Sequence, residues 1–154
     1  MKSRTLTTVV MLVSFVILVL SLKWGLPSVL ASEGRSGDLH VTKDCGENTG
    51  LPGGYCTIVT SNLLEIPAGS RVYYTQARNI PTGLLDSNVV LEAGHGDRAL
   101  GRCTVEFATR LGLCTYSGGM GRLEGFTAEV KVSYLGGTLW AWDGNYKFKQ
   151  EPER

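Results

Sequence analysis

An all-β domain, built as one small closed antiparallel barrel of about eight strands behind an N-terminal hydrophobic export helix, is the fold class this sequence predicts. Three observations carry it. Phe126, Ala128, Val130, Val132 and Tyr134 alternate with Thr127, Glu129, Lys131 and Ser133, nine residues of period 2 that give a strand one dry and one wet face. Short β-prone runs separated by Gly, Pro, Asn and Asp fill the chain from Tyr55 onward. No helical periodicity of useful length follows residue 31. Seven or eight strands on short turns must hide their edges, which favours a closed barrel over a two-sheet sandwich.

The elements are read from the N-terminus. Met1-Lys2-Ser3-Arg4 is basic, and Thr5 to Leu22 then runs 18 residues without a charge. That is the n-region and h-region of a signal peptide. Pro27 breaks the helix, and Val29-Leu30-Ala31 places small or short side chains at −3 and −1 of a cut before Ser32. Cleavage after Ala31 is the preferred reading. The alternative is an uncleaved anchor over residues 5–22, since a bilayer core needs about 20 apolar residues. Either way Lys2 and Arg4 stay inside, and the domain is secreted or extracytoplasmic, touching a membrane only through this segment.

Residues 32–54 read as a polar, glycine-rich linker with an irregular lead-in and one edge strand at Leu39-His40-Val41-Thr42. The barrel domain is expected over residues 55–150, with 151–154 as a tail. Cys56 to Ser61 is its first run, and Ile66-Pro67-Ala68-Gly69-Ser70 turns the chain into Arg71 to Gln76. Leu84 to Ala93 follows Pro81-Thr82-Gly83, and Gly94-His95-Gly96-Asp97 turns again. Leu100 to Ala108 and Leu113 to Ser117 form a hairpin around Thr109-Arg110-Leu111-Gly112. Trp140 to Phe148 closes the domain, either as one strand bulged at Gly144 or as an Asp143-Gly144 hairpin.

Composition narrows the function classes. Of 15 Lys and Arg, three lie in residues 1–31, so the exported part sets 12 basic against 14 acidic side chains, a net −2. That leaves no basic field for nucleic acid. About 120 exported residues make one domain with its own core. All four cysteines, Cys45, Cys56, Cys103 and Cys114, lie in the exported part, where an oxidising compartment favours pairing, with three connectivities open. Joining Cys45 to Cys56 would close a flexible glycine-rich loop, stabilising by about 2–3 kcal/mol. Cysteine spacings of 11, 47 and 11 are too wide for a zinc cluster.

Two stretches, Gly101-Arg102-Cys103-Thr104-Val105-Glu106-Phe107 and Leu113 to Phe126 with its Gly118-Gly119-Met120-Gly121 turn, together with the closing Trp142-Asp143-Gly144-Asn145-Tyr146-Lys147-Phe148, resemble the allene oxide cyclase and dirigent barrel superfamily. The likeness covers Gly101 to Phe148 and more loosely the chain from Tyr55. It implies an eight-stranded barrel whose apolar cavity holds a small molecule in one conformation, steering a cyclisation or a coupling without metal or organic cofactor, by proximity and orientation. Plant cyclases of the family carry a glutamate two residues before an asparagine on the first strand. Thr60-Ser61-Asn62 has the asparagine but a threonine in place of the acid, which speaks against the plant reaction.

Chemistry beyond this is sparse. Glu92, Arg102 and Glu106 lie in predicted strands and would serve as acid, base or anchor if they faced a dry cavity. Alternation with Cys103, Val105 and Phe107 puts Glu106 on the outer face, and the high cost of buried unpaired charge favours the same for all three. Tyr74, Phe107, Tyr116, Tyr134, Phe126, Trp140, Trp142 and Tyr146 could line a pocket whose aromatic faces grip an apolar molecule, and of these Tyr74, Phe107, Tyr116, Phe126 and Trp142 are the candidate ligand-binding side chains. The same residues would also serve as plain barrel filling. His40 and His95 are the only histidines and lack partners at ligand spacing, Ser117 has no nucleophile elbow, and the Gly119 to Glu124 run leads into a strand instead of a helix. The expected function is therefore a cofactor-free, metal-free barrel whose partner is a small apolar molecule. The alternatives are a cofactor-free cyclase, isomerase or dirigent-like guide of the same fold, and a structural or interaction module at the cell surface.

Overall fold

The computed structural model describes residues 34–149, all of them in a closed eight-stranded antiparallel barrel and its loops. The strands are β1 (Ser36–Asp44), β2 (Tyr55–Ser61), β3 (Arg71–Tyr74), β4 (Leu84–Glu92), β5 (Arg98–Glu106), β6 (Leu111–Met120), β7 (Phe126–Gly136) and β8 (Leu139–Phe148), with one 3-10 turn at Gly121–Leu123. Each strand pairs with the next, and β8 returns to β1 along its whole length, from Ser36 opposite Lys147 to Asp44 opposite Leu139. Closure leaves no free edge, as strands of this number and pattern require. The proposed export segment, residues 1–31, and the tail, residues 151–154, lie outside the described residues. Among the described residues no helix is long and apolar enough to cross a membrane.

Period 2 decides what fills the barrel. Leu39 and Val41 from β1, Ile58 from β2, Val89 and Leu91 from β4, Val130 and Val132 from β7 and Trp142 from β8 all point inward and are buried. Ser36–Asp44 contains the edge strand expected at Leu39 to Thr42 within the polar segment, but it is longer and is paired on both sides instead of lying at an edge. Its ends are polar enough to hide a strand whose inward positions are only Leu39, Val41 and Lys43.

All four cysteines pair, Cys45 with Cys56 and Cys103 with Cys114. Cys45–Cys56 ties the end of β1 to the start of β2 across the glycine-rich loop. Cys103 and Cys114 face each other directly across β5 and β6, buried inside the barrel. Two buried or half-buried disulfides are compatible with an extracytoplasmic location.

Trp140 to Phe148 is neither bulged at Gly144 nor folded into a hairpin. Gly144 keeps register with both Val130 and Leu39, and the irregularity falls instead between Tyr134 and Gly136 on β7. The glycine is there because the strands approach closely: a Cβ would strike the Glu129 carbonyl oxygen and lie 2.8 Å from the Val130 Cα. Gly144→Ala should cost about 1–3 kcal/mol, as overpacking does, measured by urea denaturation. An unchanged midpoint would show that the strand can move aside. The hairpin between β5 and β6 also turns earlier than expected, at Phe107 to Arg110, where Arg110 takes φ 58° and Leu111 and Gly112 already belong to β6. Gly118 and Gly119 pair with Leu100 and Ala99 as part of β6, so only Gly121 of that glycine run opens the turn, at φ 65°.

The two ends of the barrel differ. At the end holding the loops 62–70, 93–97 and 121–125, Leu63, Ile66, Leu123 and Phe126 are buried as a plug. There Arg122 clamps the loop to Asp97: its backbone N–H donates to Oδ1 at 2.9 Å and its Nε to Oδ2 at 2.6 Å. Those two bonds hold the Asp97 carboxyl below the usual carboxylate range. The opposite end, under the loops 45–54, 75–83, 107–110 and 137–138, stays open.

Candidate functional site

The open end leads into a cavity of about 210 Å³. Its walls are Leu85, Val105 and Val132 from three strands, with Phe107, Tyr134 and Trp140 nearer the mouth. Those three rings brace one another: Phe107 meets Trp140 edge-on at 6.2 Å, and Tyr134 meets it at 5.2 Å. Arg78 reaches in from the β3–β4 loop, its guanidinium 5.0 Å over the Phe107 ring. Tyr134 donates its hydroxyl hydrogen to the Gly137 carbonyl at 3.1 Å, which fixes that ring at the rim.

The floor is polar. Lys43 continues the inward phase of Leu39 and Val41 and is 1% exposed, so its ammonium cannot reach water by extending its stem. Its Nζ donates to the Tyr74 hydroxyl at 2.8 Å and sits 4.4 Å from the centre of the Trp142 ring. No carboxylate pairs with it among the described residues. Burial without a counter-charge brings the Lys43 amine down to about 7. Burial also pushes the Tyr74 hydroxyl up, so this phenol stays protonated at neutral pH. The Tyr74 oxygen lies 3.8 Å from Cys56 Sγ, a disulfide sulfur that can only accept. Tyr74 thus accepts from Lys43, and its own proton is held by nothing stronger than the disulfide sulfur.

The structure divides the five aromatic candidates. Tyr74 and Phe107 line the cavity. Tyr116, Phe126 and Trp142 belong to the packed interior below it, with Tyr116 5.6 Å from Trp142 and 6.1 Å from Phe126. The Tyr116 hydroxyl and the Trp142 indole N–H are buried and find no hydrogen-bond partner among the described residues. Cys45 reaches the cavity wall through its disulfide, and Cys103 and Cys114 stay in the core.

Glu92, Arg102 and Glu106 do not enter the cavity. Arg102 is exposed and pairs with Asp86 at 2.6 Å, Glu92 pairs with Arg98 at 3.1 Å, and Glu106 accepts from Thr109 at 3.0 Å. His40 points outward against Asp143, and His95 sits exposed in its turn. Lys43 and Arg78 are the site residues that sequence reasoning missed, whereas Tyr134 and Trp140, named among the aromatic side chains that could line a pocket, do line it. Lys43 alone carried a usable signal, because it stands two residues beyond Val41 in the phase of Leu39 and Val41.

Fold and site together define an up-and-down barrel with one plugged end and one open, aromatic-rimmed end over a buried amine. No family model, curated protein or solved structure matches the chain.

Proposed function

We propose that this domain is an extracytoplasmic barrel that holds a small, mainly apolar molecule in its open-end cavity, in the manner of the allene oxide cyclase and dirigent barrels it resembles. One observation carries the reading: the interior is filled from the plugged end only as far as Trp142 and Lys43, leaving about 210 Å³ behind apolar and aromatic walls. An apolar cavity of about 150 Å³ takes benzene, whereas drug-sized ligands need about 300 Å³ or more. The occupant is therefore of the size of one ring with a short substituent. Its apolar body would lie between Leu85, Val132 and Trp140, and its polar group would meet Lys43 and Tyr74. The hydrophobic leader and the complete pairing of the cysteines support a site of action outside the cytoplasm.

Benzyl alcohol has the right size and one polar group, and Trp140 is the reporter in the wall. Titrating it into the full chain should change tryptophan fluorescence saturably, and Trp140→Phe should remove the response. A linear, unsaturable change in the native chain would overturn the binding reading. Native mass spectrometry of the chain taken gently from its host then identifies the occupant's chemical class. A second reading, a cofactor-free isomerase or cyclase, is favoured by one thing only: the cavity has an amine and a phenol at its floor instead of an all-apolar lining.

A further inference from the structure

We propose that Lys43 is an imine-forming amine, whose Nζ at the floor of the open-end cavity condenses with the aldehyde or ketone group of a small apolar ligand. The inference deepens the binding reading above and rests on it, because the carbonyl must be delivered down the cavity.

The geometry supplies what the condensation needs. Lys43 is in the cavity wall, and a ligand body packed against Leu85, Val132 and Trp140 would point its polar end at it. No acid holds Nζ in an ion pair among the described residues; its one hydrogen-bond partner there is the Tyr74 hydroxyl at 2.8 Å. The other charged or titratable groups that face the cavity are Arg78 and Tyr134, both at the mouth. Desolvation that lowers the amine leaves a large neutral fraction at pH 7, whereas an ordinary lysine is neutral in only about one molecule in 10³ there. A desolvated lysine in an apolar pocket is the setting in which amines act as nucleophiles.

The step balances within the site. The Nζ lone pair attacks the carbonyl carbon, a C–N bond forms, and the π electrons move to oxygen. Tyr74 can give its proton to that oxygen and take one from nitrogen, which yields a neutral carbinolamine. The nitrogen lone pair then expels the hydroxyl, which leaves as water with one further proton from nitrogen. The products are the imine and one water. A second, oxygen-bearing ligand without a carbonyl would bind by the same contacts and stop at the hydrogen bond.

Benzaldehyde is the probe, and cyanoborohydride is the hydride donor that turns any imine into a stable benzylamine without touching the disulfides. The full chain is treated at pH 7, digested and mapped by mass. Lys43 should carry the benzyl group at least about tenfold over exposed Lys131, Lys147 and Lys149. Lys43→Met should lose the label at that position, and Tyr74→Phe should slow labelling at Lys43 without moving it elsewhere. Benzyl alcohol should compete. If Lys43 stays unlabelled while benzyl alcohol still changes Trp140 fluorescence saturably, the imine inference falls and the binding reading stands. If neither occurs, both fall.

Discussion

Lys43→Met is expected to stabilise the barrel at pH 6 by several kcal/mol and to flatten its stability between pH 7 and 10. The native chain holds this amine in a site where it titrates at about 7, against 10.5 when unfolded. Below pH 7 both states bind the proton, and the native state bears the whole cost of a desolvated ammonium. Between 7 and 10.5 only the unfolded chain keeps the proton, so raising the pH removes the cost and stability climbs. At 1.36 kcal/mol per unit the full swing is about 5 kcal/mol. The Trp142 face under Nζ returns up to about 2 kcal/mol to the charged form, which brings the swing to about 3–5 kcal/mol. Above pH 10 the sign reverses, because Tyr74 and Tyr116 ionise in the unfolded chain before they do in the barrel. Urea midpoints at pH 6, 8 and 10 should therefore rise for the native chain and stay level for the methionine variant, the two converging near pH 10. A level profile in the native chain would mean that Lys43 is hydrated.

Lys43 is a place where stability and the proposed chemistry pull in opposite directions, the trade-off expected of a functional site. The same tension explains why the site was hard to read from residues alone. Strand phase was visible where apolar and polar residues alternate, as at Phe126 to Tyr134, and the barrel class follows from that pattern and from the turn residues. Lys43 broke the rule that inward positions are apolar, so its charge looked like the start of a solvated loop and β1 seemed to end at Thr42. The outward placement of Arg102 and Glu106 follows from phase, because each has an ion-pair or hydrogen-bond partner on the wet face. Tyr134 and Trp140 stood out from sequence only as two aromatic residues among eight, and nothing there gathered them with Arg78, since separate loops and strand ends bring the three to one rim. Gly144 misled in the opposite sense: it looked like a turn signal next to Asp143, but it marks a close approach between strands that only the folded barrel contains.

Trp142→Ala should produce a loss of about 3–5 kcal/mol, the range for truncating a fully buried aromatic side chain. Trp142 sits at mid-height, registered with Val41 on one side and Val132 on the other, and separates Lys43 above from Tyr116 below. Its removal does two things at once. The plugged half loses the ring that packs on Tyr116, and the open-end cavity deepens until it reaches the Tyr116 hydroxyl. The second effect distinguishes this residue from other core positions. Val130→Ala should cost stability without changing what binds, because Val130 does not line the cavity. Trp142→Ala should admit a probe longer than benzyl alcohol, such as 3-phenylpropanol, at the expense of the shorter one, because the floor that stops the ligand beside Lys43 has gone. Urea denaturation with intact disulfides and a pair of fluorescence titrations read by Trp140 test both parts. A loss below about 1 kcal/mol would show that the neighbours collapse into the space. Unchanged selectivity between the two alcohols would show that Lys43 and Tyr74, not the indole, set the depth of the site.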